Sequence, residues 1–283
     1  MVTAIIGIAN PAAAEGVPTS LTYAAQRDCQ RSAQRPNPIV ILPGGGGRAR
    51  AVDEEDIADD GFVRTMLAAG ACVYGIFYGV VNGLTGAAPI SASADQLADY
   101  IESIKNETGA TQVDLVAHSE GALVGNYYTK VLGGAANVGA IVSFAPVTHG
   151  SRVNSPLALI NENLPDPRLP DPGLAPLLSG SPVLPAIAEI TQAPGWLDCL
   201  EGSDVIRRVS AGGITVPGIR YFVMATRNDT VNTPAGAASF ISEPGVTNLF
   251  FEDLFPTAPP TTHRGLPANP RAWDWTAAML YGH

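Results

Sequence analysis

The sequence is short of charge, of cysteine and of long apolar runs, and each shortage excludes a class of protein. Only 15% of its 283 residues are charged and 46% are hydrophobic, which argues against a disordered chain. The 26 acidic residues outnumber the 16 basic ones, and the resulting net charge of −10 argues against nucleic acid or anionic lipid as a partner. No apolar run approaches the roughly 20 residues that span a bilayer. These shortages predict a soluble globular protein without a transmembrane segment.

The three cysteines are few, but two of them flank neighbouring predicted strands. Cys29 precedes one apolar strand and Cys72 begins the next. A disulfide between them would tie the segment that enters the sheet to the sheet itself, and it would suit a secreted protein in an oxidising compartment. The alternative is a set of small buried thiols. In the disulfide interpretation, Cys199 keeps its thiol.

Residues 1–27 are predicted to be an N-terminal tail. Their apolar start and the small residues at 11–14 resemble the end of a signal peptide, but a basic first region is missing. A shortened chain with an added Met1, or an ordinary disordered tail, would explain the same residues. Residues 28–283 are predicted to be a single domain, since α/β enzymes of this length are routinely single.

Strand-like and helix-like segments alternate along this domain, which predicts a mostly parallel sheet with helices on both faces. The predicted strands are residues 39–42, 71–77, 113–116, 138–145, 218–225 and 246–251. Helices are predicted at residues 91–107, with Ser91 as the N-cap, at residues 121–132, and after Asn269-Pro270.

The segment at about residues 151–200 breaks this alternation. It holds nine prolines and repeated leucine clusters, but no clear strand. Long insertions in compact domains are usually functional lids, binding loops or disordered segments, and the apolar content argues against disorder. We expect a lid or cap over the site, with leucines such as Leu177 and Leu178 lining an acyl groove. The alternative is core filling beneath a long loop.

Residues 113–121 contain the strongest chemical signal, a nucleophile elbow of the G-x-S-x-G type with Ala117 at the first glycine position. Small residues allow a sharp turn from strand to helix, which would hold Ser119 in a strained conformation at the edge of the sheet. Ser119 would also lie at a helix N-terminus, where backbone N–H groups favour developing negative charge. We therefore predict Ser119 as a nucleophile.

A serine nucleophile needs a base and an acid. His263 lies after the last predicted strand and before the last helix, where the α/β-hydrolase fold places its base, and the alternative is a solvent-facing loop histidine. Asp229 follows the fifth predicted strand and would hold the imidazole tautomer. Asp253 is the rival acid, and a turn-forming role is the alternative for Asp229. Among the other histidines, His118 is interpreted as a packing residue.

A glycine-rich loop at residues 43–47 follows the first predicted strand, where this fold takes one oxyanion donor. We assign one N–H to Gly45 and the other to Glu120, the residue after the nucleophile. Phosphate binding is the alternative, but the loop lacks the Lys-Ser/Thr of a P-loop and the dinucleotide spacing.

Several spaced blocks of this chain, taken together, resemble the class 2 triacylglycerol lipases of actinobacterial and Bacillus type, the EstA-like family. The blocks are residues 28–29, 43–44, 71–73, 113–121, 145–150, 225–229, 233–234 and 263–265. The resemblance covers the chain from about Asp28 onward. It implies an α/β-hydrolase fold, a triad of Ser119, Asp229 and His263, secretion, and no required metal.

The chain departs from that family beside the site. Family members commonly carry His-Gly where this chain has Pro43-Gly44, and many carry Gln where it has Glu120. A carboxylate facing inward would oppose an oxyanion, so we expect Glu120 to accept hydrogen bonds from the glycine loop or to be protonated.

The sequence thus predicts a secreted, monomeric carboxylester hydrolase that acts through an acyl-enzyme on acyl esters such as acylglycerols, without a cofactor or metal. The alternatives are polyester, thioester or acyl-transfer chemistry on the same scaffold, or a binding protein of this fold that has lost catalysis.

Overall fold

The computed structural model describes residues 18–26, 29–152 and 193–282. Its seven strands are β1 (Thr19–Ala24), β2 (Ile39–Leu42), β3 (Val73–Val80), β4 (Val113–His118), β5 (Val138–Phe144), β6 (Arg220–Ala225) and β7 (Thr247–Phe250). Its described α-helices are α1 (Glu54–Asp59), α2 (Gly61–Ala68), α3 (Ile90–Thr108), α4 (Glu120–Lys130), α5 (Gly195–Asp198), α6 (Asp204–Ser210), α7 (Phe251–Leu254) and α8 (Pro270–Tyr281). A short 3-10 helix, Gly134–Asn137, precedes β5.

All seven strands form one sheet in the order β1-β3-β2-β4-β5-β6-β7. β1 pairs with β3 antiparallel, and every other neighbouring pair is parallel. The six parallel strands include each strand predicted from the sequence, with bounds that differ by up to three residues at an end. Because the parallel strands run the same way, β2, β4 and β6 all deliver the loops that follow them to one edge of the sheet. The predicted site residues of those loops therefore approach one another.

Apolar side chains cover both faces of the sheet. One buried cluster joins strand residues such as Leu115 to Leu97 of α3 and Leu123 of α4. The other joins Val116 to Trp275 of α8 and to residues of α2. Leu115 and Val116 are consecutive in β4, so their side chains point to opposite faces. Burial on both faces explains why β4 is mainly apolar, although it contains the buried Asp114.

The long helix α3 begins differently from the prediction. Its N-cap is Pro89, and Ser91 lies inside the first turn, so the assignment of Ser91 as the cap was wrong. The N–H of Ile90 instead donates to Oδ2 of Asp198, at 2.9 Å. A carboxylate suits the positive end of a 19-residue helix, and this one comes from 108 residues further along the chain. The predicted cap of the last helix is confirmed, since the side chain of Asn269 accepts from the Arg271 N–H.

The strand β1 was not predicted, and it lies within the segment assigned to the N-terminal tail. Just after it, Cys29 and Cys72 form the predicted disulfide, with their Cα atoms 5.7 Å apart. Cys199 is buried and is not part of a disulfide. The bridge joins the segment that follows β1 to the residue that precedes β3.

Most of the predicted lid, including Leu177 and Leu178, lies outside the described residues, as do residues 1–17 of the predicted tail. In the parts of the chain that the structure does describe, every helix is too short or too polar to cross a bilayer.

Candidate active site

Ser119 occupies the turn between β4 and α4. Its φ of 54° and ψ of −120° are unusual for a residue with a side chain, and such strain is typical of functional positions. Gly121 makes the turn possible, because a methyl group there would lie 2.5 Å from the carbonyl oxygen of Leu42 and 2.7 Å from that of Pro43. The N–H of Ser119 donates to Phe144 at the end of β5, at 2.9 Å. The turn is therefore held between the end of β2 and the end of β5.

Asp229 and His263 form a buried pair at the same edge of the sheet. Nδ1 of His263 donates to Oδ2 of Asp229 at 2.8 Å, and the two side chains are 1% and 2% exposed. The other carboxylate oxygen accepts from the N–H groups of Val231 and Asn232, at 2.9 and 2.8 Å. This hydrogen-bonded carboxylate fixes the imidazole tautomer, so that Nε2 is the atom left to accept a proton.

His263 is held beside the serine turn by the residue that precedes the serine. Nε2–H of His118 donates to the carbonyl oxygen of His263 at 3.0 Å, and the two ring centroids are 4.7 Å apart. Burial and the neighbouring His263 lower the pKa of His118, which keeps its ring neutral. Nε2 of His263 is buried and has no hydrogen-bond partner among the described residues. A buried ring nitrogen without a partner is available to a reacting group.

The rival acid, Asp253, occupies a different environment. Its carboxylate forms an ion pair with Arg227 at 2.9 Å, and its side chain is 61% exposed. A surface ion pair of this kind contributes little to stability and orients no other described group. The contacts of the two carboxylates therefore favour Asp229.

The glycine loop lies against the serine turn. Gly45 lines a pocket together with Ser119, Glu120, Val147, Trp196, Cys199, Val231 and Asn232. Glu120 is the first residue of α4, so its N–H has no acceptor within the helix. The structure thus brings both residues predicted as oxyanion donors to the pocket that Ser119 lines.

The side chain of Glu120 is 4% exposed. Burial and the nearby charge of Asp198 raise its pKa well above the usual value, while a hydrogen bond from Cys199 opposes the rise. Of the two possibilities that the sequence left open, the raised pKa favours the protonated carboxyl.

Comparison with known proteins shows the fold. No protein-family model and no curated protein sequence matches the chain. Among solved structures, lipase B of Aspergillus fumigatus is similar over 87% of this chain and 52% of its own, with a TM-score of 0.62 and 17% identity. The mature lipase BlEst2 of Bacillus licheniformis is similar over 92% of this chain and 98% of its own, with a TM-score of 0.60 and 13% identity. The monoacylglycerol lipase of Paleococcus ferrophilus is similar over 94% and 99%, with a TM-score of 0.54 and 13% identity.

The chain has the α/β-hydrolase fold. This confirms the predicted fold class. The present chain spans only about half the length of the Aspergillus enzyme. At such low identities the likeness carries no activity with it, and membership of the class 2 EstA-like family stays a prediction.

Three residues that lie beside the site of this α/β-hydrolase fold were not predicted from the sequence. Asn232 donates through Nδ2 to the carbonyl oxygen of Ala145 at 2.7 Å and lines the pocket. Its position three residues after Asp229 was the available signal. Gly86 and Cys199 contact Glu120 from distant segments, and no local motif marks either of them.

Within the described ranges, no three or more His, Cys, Asp or Glu side chains lie close enough together to hold a metal. This edge of the sheet brings together a strained serine, a buried imidazole-carboxylate pair and backbone N–H groups.

Proposed function

We propose that the chain is a serine hydrolase that cleaves carboxylic esters through a covalent acyl-enzyme. One observation carries the proposal. The buried pair of Asp229 and His263 fixes the imidazole and leaves its Nε2 without a partner, beside a strained serine at a helix N-terminus. This combination supports nucleophilic catalysis more than simple binding, which would not need an oriented base.

In the proposed reaction, Oγ of Ser119 attacks the ester carbonyl carbon while Nε2 of His263 accepts its proton. The N–H groups of Gly45 and Glu120 bind the resulting oxyanion. The C–O bond of the ester then breaks, and the alcohol leaves with the proton from His263. Water releases the acyl group by the same steps. Asp229 stabilises the imidazolium that forms twice in this cycle.

Acyl esters such as acylglycerols are the proposed substrates, since Val147, Trp196 and Val231 give the pocket an apolar wall. Lipases are also among the similar structures. We propose secretion as well, because a disulfide between Cys29 and Cys72 is stable in an oxidising compartment.

Labelling with a fluorophosphonate probe and hydrolysis of nitrophenyl butyrate test the proposal together. The wild-type chain should be labelled and active. Ser119→Ala should abolish labelling, and both Ser119→Ala and His263→Ala should lower kcat/KM about 1,000-fold or more. Asp229→Ala should be the mildest of the three, because Asp229 acts through His263.

Asp253→Asn is the matched control for Asp229 and should retain activity within about twofold, as a surface substitution. Near-normal turnover in His263→Ala would refute the assignment of the base. A folded wild-type chain that is neither labelled nor active on any ester from acetate to palmitate would refute the proposed function.

A further inference from the structure

The side chain of Glu120 fills a slot between two stretches of backbone. A methyl group added at Gly45 would overlap Oε2 of Glu120, and one added at Gly86 would overlap its Oε1. Cys199 hydrogen-bonds to the carboxyl group from a third segment. Oε1 itself has no hydrogen-bond partner among the described residues. The carboxyl group of Glu120 therefore fills the space between two segments of the backbone.

The two stretches of backbone are joined to each other beside this slot. The N–H of Gly46 donates to the carbonyl oxygen of Thr85 at 2.8 Å, and the N–H of Thr85 donates to that of Gly47 at 2.8 Å. A methyl group at Gly86 would lie only 2.9 Å from Cα of Gly45. Whatever occupies the slot consequently sets where Gly45 lies relative to the pocket.

We propose that the Glu120 side chain is a positioning residue that fills this slot and fixes the Gly45 N–H for oxyanion binding. This inference rests on the proposed function and goes beyond it. In that reaction the backbone of Glu120 supplies one oxyanion donor. Its side chain sets the position of the other, so one residue determines both donors.

The same geometry makes the ionised form of Glu120 unsuitable. The titratable groups that face it are Tyr78 on β3, and Asp198 and Cys199 at the end of α5. None of the three can supply a positive charge. Burial and the charge of Asp198 accordingly raise the pKa of Glu120. A carboxylate in the slot would lie next to the forming oxyanion and oppose it, so turnover should fall as rising pH ionises Glu120.

Two glycines in one loop provide a matched test. Gly86 and Gly83 have similar backbone conformations, with φ of 72° and 76°, so alanine strains both in the same way. Only at Gly86 does the added methyl meet Glu120, because at Gly83 it meets nothing within 4 Å. Gly86→Ala should lower kcat for nitrophenyl butyrate about 10- to 100-fold with little change in KM. Gly83→Ala should stay within about twofold of wild type.

Variants of Glu120 test the side chain directly. Glu120→Ala empties the slot and should lower kcat about 10- to 100-fold, again with KM nearly constant. Glu120→Gln keeps the shape without an ionisable group, so it should lose less than about tenfold at pH 7. Wild-type kcat should decline as rising pH ionises Glu120 while the fold persists by circular dichroism, and Glu120→Gln should lack that decline. In the double variant, the effects of Glu120→Ala and Gly86→Ala should add only in part, because the overlap with the Glu120 side chain is gone while the 2.9 Å approach to Cα of Gly45 remains.

The outcomes separate this inference from the function on which it rests. A wild-type chain with neither fluorophosphonate labelling nor turnover would overturn both. An active, labelled wild type in which Gly86→Ala behaves like Gly83→Ala would overturn only the positioning role. So would a Glu120→Ala variant that loses thermal stability but keeps its kcat, or a Glu120→Gln variant whose kcat declines with rising pH as that of the wild type does.

Discussion

Replacing Asp114 with Asn should remove a pH-dependent loss of stability from the sheet. Asp114 lies in β4, is 3% exposed, and accepts a hydrogen bond from Nδ2 of Asn37 at 3.0 Å. Burial raises the pKa of its carboxyl from 3.8 to about 6, although Asn37, Arg220 and the Ala140 N–H act in the opposite direction. At a pH between these two values, the folded protein therefore keeps a proton on Asp114 that the unfolded chain has released.

The sign and size of the effect follow from that difference in proton binding. Below about pH 3 the carboxyl is protonated in both states and costs nothing. Between pH 4 and pH 6 the unfolded chain ionises first, so stability falls as pH rises, and above about pH 7 the loss is complete. One pKa unit corresponds to about 1.4 kcal/mol, so a pKa of about 6 in place of 3.8 costs about 3 kcal/mol.

Asp114→Asn keeps the shape and the acceptor oxygen but cannot ionise. Urea unfolding of both proteins at intervals from pH 4 to pH 7.5 measures the effect, because all other titrations cancel in the comparison. The stability of the variant relative to wild type should increase by about 2.4 kcal/mol across this range, because part of the loss has already occurred at pH 4. A relative stability that changes by less than about 1 kcal/mol would show that the Asp114 carboxyl is not destabilised by burial.

Two further predictions concern the disulfide and the support of His263. Replacing both Cys29 and Cys72 with Ser should lower the free energy of unfolding by about 4 kcal/mol, since the bridge closes a loop with a sequence separation of 43; free thiols at both positions in freshly purified protein from an oxidising host would contradict the bridge. His118→Phe keeps a ring but loses the N–H that holds the His263 carbonyl, so it should lower kcat/KM about tenfold, whereas His118→Gln, which keeps a donor, should lose less. Equal losses in the two variants would mean that the hydrogen bond does not support the base.

The parallel core of the sheet was predictable because its signals are local. The apolar runs at β2, β4 and β5 are bounded by turn residues within a few positions. β1 escaped prediction because its sequence alternates weakly and its partner, β3, lies some 50 residues further on in antiparallel register. The start of α3 was missed for the same reason, since the acceptor of its first N–H comes from Asp198.

The residues of the candidate site also divide into those with a local sequence signal and those that depend on distant segments. Ser119 has a contiguous motif, and His263 and Asp229 follow from the order in which this fold presents its loops. The slot around Glu120 has no such signal. Gly86 precedes it by 34 positions and Cys199 follows it by 79, and only the folded sheet brings the three together. The sequence predicted a carboxyl group beside the proposed oxyanion site, but it did not predict which residues surround that carboxyl group.

The strand β1 has a consequence for how molecules of this protein behave toward each other. Seven of the eight residues of β3 are buried, and without β1 its unpaired N–H and C=O groups would form the border of the sheet. An open apolar border of that length is a template on which a second chain can add a strand. β1 replaces it with a shorter border that carries Thr19, Ser20 and Thr22. A form of the protein cut after Ala24 would retain every residue of the candidate site and yet be prone to self-association and precipitation.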